Sequence, residues 1–157
     1  MPNNSVNDGW RQAHLGHWLG AASLRFDARV LSLVAGDIEV PLALSNLAAR
    51  GSLSASHVHL TRHLALEGSR LTELARRAGM SKQAMGKLVD QCEVWGLVTR
   101  QGDASDARAR RITFTPVGLA WLQAFRRAVM QAQAEFRAVL GADVAAVVEL
   151  GLEAYVA

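Results

Sequence analysis

Lys82, Gln83 and Lys87 follow Ser81 closely, and serine is a residue type that caps helix starts. Lysine contacts phosphates or guanine, and glutamine can pair at two points with adenine. Between them, Ala84 offers a methyl group to thymine and Gly86 lets a backbone come close. Farther along, Arg108 and Arg110 stand beside Asp103 and Asp106 in a stretch rich in Gly, Asp and Ser. An arginine on a projecting turn can enter a narrow minor groove, and a neighbouring carboxylate can hold its guanidinium in one orientation. The chemistry these residues can do together is recognition of double-stranded DNA.

The histidines suggest other chemistry. His59 and His63 are one helical turn apart, and His14 and His17 can share a face, yet no acidic or cysteine ligand accompanies them at a metal-binding spacing. Structural histidines are the expectation, with a metal-responsive protein as an alternative. A second use joins Arg11, His14, His17, Trp18, Arg25, His57 and His59 into an aromatic wall with cationic donors, suited to a small aromatic carboxylate. The single cysteine, Cys92, excludes an intrachain disulfide and reads as a buried small hydrophobe. No nucleophile–base pairing, glycine-rich phosphate loop or useful carboxylate pair is present, so neither an enzyme nor a cofactor is expected.

These residues need elements to position them. Thr72–Ala78 reads as a short helix capped by Thr72 or Ser69, Gly79 as a tight turn, and Lys82–Trp95 as a second helix ended by Gly96. Leu71, Leu74, Ala75 and Ala78 make the inward side of the first helix; Met85, Leu88, Val89 and Cys92 make that of the second. This is the form of a helix-turn-helix, with Lys82, Gln83 and Lys87 turned outward near the start of the recognition helix. Residues 97–100 and 110–115 read as two strands of a hairpin, with 101–107 as its turn and Ile112 and Phe114 on one face.

Helices flank this head. One is expected from about Asp8 to Val34, capped by Asn7 or Asp8, with Trp10, His14, His17, Ala21, Leu24, Ala28 and Leu31 on one stripe. Shorter ones are expected from Pro41 to Arg50 and from Ala55 to Leu66. Thr115 and Pro116 open a long helix to Leu140, and Asp143 caps a last one. Trp10, Trp18, Trp121, Phe125 and Phe136 exceed what a small head can cover, which points to a symmetric dimer.

The 157 residues suit one domain, and half of them are hydrophobic. The net charge is +3, but residues 70–111 hold nine basic and five acidic side chains, so the positive excess sits in that segment. No stretch is apolar enough to span a bilayer and the polar start lacks signal-peptide features, so a cytoplasmic protein without a membrane partner is expected.

Leu71, Leu74-Ala75, Ser81, Gly96, Asp103, Asp106, Arg108, Thr115 and Gly118 together resemble the MarR family of winged-helix regulators. The resemblance is dense from about Ser54 to Leu122. It implies a mostly α fold with a small β-wing: a single domain over 1–157, a winged helix-turn-helix over 54–115, and helical dimerisation regions over 8–50 and 116–157. It further implies a homodimer on a pseudo-palindromic operator, repression more often than activation, and release by a small, often phenolic, effector. Gly86 stands where the family usually has a small hydroxyl residue, and Ala107 where an arginine is common; residues 36–53 run longer than usual. A winged helix used only for protein contact is the other alternative.

Overall fold

The computed structural model describes residues 9–103 and 106–157; side chains at 43, 103 and 106–108 fall outside that description. Seven helices and a small sheet follow in order: α1 (Leu15–Ala35), α2 (Leu42–Ala49), α3 (Ala55–His63), β1 (Ser69–Arg70), α4 (Leu71–Arg77), α5 (Lys82–Val94), β2 (Val98–Asp103), β3 (Asp106–Phe114), α6 (Pro116–Leu140) and α7 (Ala142–Val156). The sheet is antiparallel in the order β1–β3–β2.

Local chemistry explains most boundaries. Ser54 opens α3 with a capping box in which His57 takes the place of the usual Glu or Gln. Thr115 accepts the Gly118 N–H at 3.0 Å and Pro116 opens α6, where a missing donor costs nothing. The first helix starts later than its apolar pattern suggests. A short 3₁₀ turn, Gly9–Gln12, precedes it, and the extended backbone of His14 lets its Nδ1 accept the His17 N–H at 3.2 Å. The proposed caps Asn7 and Asp8 lie outside the described residues. At the other end, Gly141 with φ +80° caps α7, so Asp143 lies inside the first turn, where its charge still suits the helix dipole. Arg70, not Thr72, sits at the cap of α4, and Ser69 belongs to the strand β1, its Oγ accepting the Ala65 N–H.

The core is centred on the head. Leu60 of α3, Leu74 of α4, Met85 and Val89 of α5, Leu97, Ile112 of β3 and Trp121 of α6 are all essentially inaccessible. Helix α1 joins this core only through its second half, burying Asp27, Val30 and Val34. The expected stripe on α1 is therefore not its core face: Trp10 is 69% exposed and Leu24 69%. Helix α7 buries only Ala145, while Val147, Leu150 and Tyr155 are open. Within one chain these helices carry a surplus of apolar surface.

Polar ties fix α1 to both neighbours. Arg29 reaches Glu135 on α6 at 2.7 Å, and Arg127 on α6 reaches Asp37 and Glu39 after α1, each at 2.8 Å. Asp27, nearly buried, pairs with Arg62 of α3 at 2.5 Å. Replacing Arg62 by alanine leaves that carboxylate without its cation in a poorly solvated place. Urea denaturation of Arg62→Ala should show a loss of about 2 kcal/mol, whereas Asp27→Asn with Arg62→Ala together should recover part of it.

Candidate nucleic-acid interface

Helix α4 holds its place by burying Leu74 and Ala75 and by an i,i+4 pair between Glu73 and Arg77. Gly79, with φ +63°, then reverses the chain, and the Met80 N–H closes back on the Ala75 carbonyl at 2.9 Å. Ser81 accepts the Ala84 N–H at 3.1 Å and so starts α5. The buried face of α5 is Met85, Val89 and Cys92, with Leu88 half-buried. Burial pushes the Cys92 thiol up to about 12, which keeps it protonated and unreactive.

The opposite face of α5 is open. Lys82, Gln83 and Lys87 are exposed, Ala84 is half-buried, and none of the described ion pairs takes Lys82 or Lys87. No acidic residue stands in the first turn of α5, although one would favour the helix dipole. A lysine there is a cost to the helix alone and a gain when an anion sits at its start. Gly86 is half-buried at the edge of this face: an added Cβ would meet Leu71 Cδ2 at 3.8 Å, an ordinary contact.

The hairpin is longer than the sequence suggests. The sequence predicts a turn over 101–107, but pairing continues from Val98↔Phe114 out to Asp103↔Asp106, with a register shift at Gly102/Asp103. Main-chain pairing can extend through polar residues because it needs no apolar side chain. Alternation along β3 puts Arg110 on the face of Ile112 and Phe114, beyond the core's edge, where it is exposed. Arg111 faces the other way and donates to the Gly68 carbonyl at 2.7 Å. The backbones of Asp103, Asp106 and Arg108 lie at the outer end of the two strands; their side chains lie outside the described residues.

One arginine fixes the hairpin to α5. Arg100 of β2 donates to Glu93 and, at 2.5 Å, to Asp90, and its own N–H donates to Glu93 Oε1 at 3.1 Å. The wing and the recognition helix are thereby held as one body. Arg100→Ala should leave the chain folded, cost about 1 kcal/mol, and speed amide exchange in 98–103 and 106–114 more than in α6. Equal protection of these strands in Arg100→Ala and the wild type would remove this role.

The proposed ligand-binding residues fall into two groups. Ring contacts link Trp10, His14, His17 and Trp18 along the exposed amino end, and link His59 to His63 in the head; none of these described contacts joins the groups. Arg11 and Arg25 are exposed, Arg11 within the turn that carries Trp10 and Arg25 about two helical turns beyond Trp18 on α1. His57 and His59 are engaged internally: His57 with Ser54 and Gln91, and His59 Nε2 with the Ala78 carbonyl at 2.8 Å. His63 is held below the ordinary histidine range by burial and then by the charges of His59, Arg62 and Arg77. Among the described residues, no group of three or more His, Cys, Asp or Glu side chains could hold a metal ion.

A sequence model of the MarR family matches residues 52–109, from just before α3 into β3. Over its winged helix-turn-helix the chain carries the sequence pattern of the MarR family. Solved MarR-type structures share its fold over almost its whole length. The transcriptional repressor CouR bound to a 23-mer DNA duplex superimposes with a TM-score of 0.69 at 24% identity, covering 95% of this chain and 96% of that one. CouR bound to p-coumaroyl-CoA gives 0.68 at 21%, with 96% and 97% covered. The Mycobacterium tuberculosis MarR family protein Rv2887 in complex with salicylic acid gives 0.62 at 26%, with 90% and 96% covered. No curated protein matches the sequence.

The mostly α fold with a small β-wing agrees with the sequence expectation. Two site features escaped that reading. Arg100 stood in a four-residue strand with nothing to show that Asp90 and Glu93 would reach it. Ser54-x-x-His57 has capping-box spacing, but the usual partner is Glu or Gln, so its signal was hidden.

Proposed function

We propose that this chain is a sequence-specific DNA-binding transcriptional regulator, acting as a homodimeric repressor. One observation carries the reading: the exposed Lys82 and Lys87, in none of the described ion pairs, at the start of a capped recognition helix, with Arg110 on the wing face that continues from Ile112. A helix start supplies backbone N–H groups and a favourable dipole to phosphate, and Gln83 and Ala84 then reach base edges. Arg110 and Arg108 serve the adjacent minor groove, with Asp103 and Asp106 orienting them. The CouR–DNA complex supports the same use of this fold.

A second copy of the chain covers the apolar surplus. Trp10, Trp18, Leu24, Leu150 and Tyr155 are all open, as is a shallow groove on α6 lined by Leu122, Phe125, Val129 and Met130. A symmetric pair of heads reads a pseudo-palindromic operator. The structures of Rv2887 with salicylic acid and CouR with p-coumaroyl-CoA support a small aromatic effector. In this chain the amino-terminal group, Arg11, His14, His17, Trp18 and Arg25, offers the aromatic wall and cations for it, while His57 and His59 already spend ring nitrogens on the head. No described helix is long and apolar enough to cross a membrane. Sedimentation equilibrium and gel shift with the DNA upstream of its own gene test the reading. A monomer, or a chain that shifts no DNA and instead captures a protein, would replace it.

A further inference from the structure

His57 is 5% exposed and lies behind the recognition helix, against Trp95 at 4.7 Å between ring centroids. Its Nδ1 is 3.0 Å from the Ser54 backbone nitrogen and 3.0 Å from Ser54 Oγ; its Nε2 is 2.8 Å from Gln91 Oε1. A backbone N–H can only donate, so Nδ1 must accept from Ser54. The single ring proton then sits on Nε2 and donates to Gln91 on α5. One ring thus closes the capping box of α3 at one end and ties α5 at the other.

A second proton has only Nδ1 to occupy, where it faces the Ser54 N–H, donor against donor. The ring must turn or the start of α3 must shift, and Nε2 leaves Gln91 with it. We infer that His57 is a positioning residue: as the neutral Nε2–H tautomer it seats the recognition helix through Gln91, and protonation unseats that helix. The tie belongs to the folded head; its effect on DNA affinity rests on the reading given above.

The surroundings offer the extra proton no compensation. On α4, which packs against α3, Glu73 is engaged by Arg77 and Arg76 is itself a cation; on α5, Asp90 and Glu93 are engaged by Arg100, and Cys92 is a buried thiol. On α1, Asp27 is engaged by Arg62 of α3; the other titratable groups on α3 are His59 and His63, both cations when protonated. Burial holds the His57 imidazole below its ordinary range, with the Gln91 bond acting in the opposite sense. A folded value below the unfolded one means that the neutral ring's contribution is complete above about pH 6.5. It is lost as pH falls through the folded value. Protonation of the exposed histidines acts the other way, adding positive charge that favours DNA.

The test uses the full chain, nitrogen-15 NMR, and a labelled duplex selected by the wild type from a random pool. The imidazole spectrum should show the Nε2–H tautomer at neutral pH, and the amides of 82–94 should shift with the His57 midpoint. In Gln91→Leu, an exposed substitution, those amides should no longer follow His57. His57→Gln keeps a capping-box partner for Ser54 and cannot titrate. On acidification the wild type should lose affinity about fivefold relative to His57→Gln, the scale of one buried hydrogen bond. An Nδ1–H tautomer, α5 amides blind to the His57 titration, or the same pH profile in His57→Gln would overturn the proposal. A wild type that selects no duplex defeats the DNA reading alone, and the amide titration then decides the tie.

Discussion

Gly118→Ala should unfold this chain far below the temperature at which the wild type melts. Gly118 is buried in the first turn of α6, and a Cβ built there would lie 1.9 Å from the Leu97 carbonyl oxygen and 2.9 Å from its carbon. That carbonyl cannot retreat easily. It accepts the Thr115 N–H at 3.1 Å, while the Leu97 N–H is bound to the Cys92 carbonyl at 2.9 Å and the Leu97 side chain is fully buried. The clash is with backbone, so no rotamer relieves it. A loss of about 3 kcal/mol or more is expected, which for a chain of this size is a fall in Tm of about 10 °C. Gly151→Ala in α7 is the control, because nothing lies within 4 Å of its added Cβ; it should be neutral or stabilising. Equal melting of Gly118→Ala and wild type would refute the close packing of α6 on the strand start.

Lys82→Ala with Lys87→Ala should weaken DNA binding about 10- to 100-fold at moderate salt and make its salt dependence shallower by about two phosphate contacts. Both side chains are exposed, so the fold should be unaffected within about 0.5 kcal/mol. Removing Lys82 should, if anything, relieve α5, whose first turn carries a cation against the helix dipole. Loss of affinity without loss of stability is therefore the signature of a contact residue. Fluorescence anisotropy across a salt series checks it; an unchanged slope would mean that these lysines touch no phosphate.

The head was legible in the sequence because local rules and tertiary needs agree there. Gly79 and Gly96 stand where the chain needs positive φ, Ser81 and Thr115 cap what they precede, and the apolar spacing of Met85, Val89 and Cys92 matches their burial. The first helix was read less well. Its apolar spacing is real, but the stripe before Leu31 lies mostly away from this chain's own core, and periodicity alone does not say what will cover it. The wing is longer than its sequence signals because its outer strand residues include Gly102, Asp103 and Asp106, types that signal turns while their backbones still pair. Of the candidate ligand residues, sequence could not separate His57 from His14 and His17. All are imidazoles near aromatic residues, and only burial and the Ser54 and Gln91 partners distinguish the structural one.

Selection from a pool of random duplexes tests the central claim most directly. The wild-type chain should enrich an inverted repeat whose half-sites lie about one helical turn, or a multiple of it, apart, and the Lys82→Ala, Lys87→Ala variant should recover little of it. A wild-type pool that stays indistinguishable from the input, or the same motif enriched equally by that variant, would contradict the account.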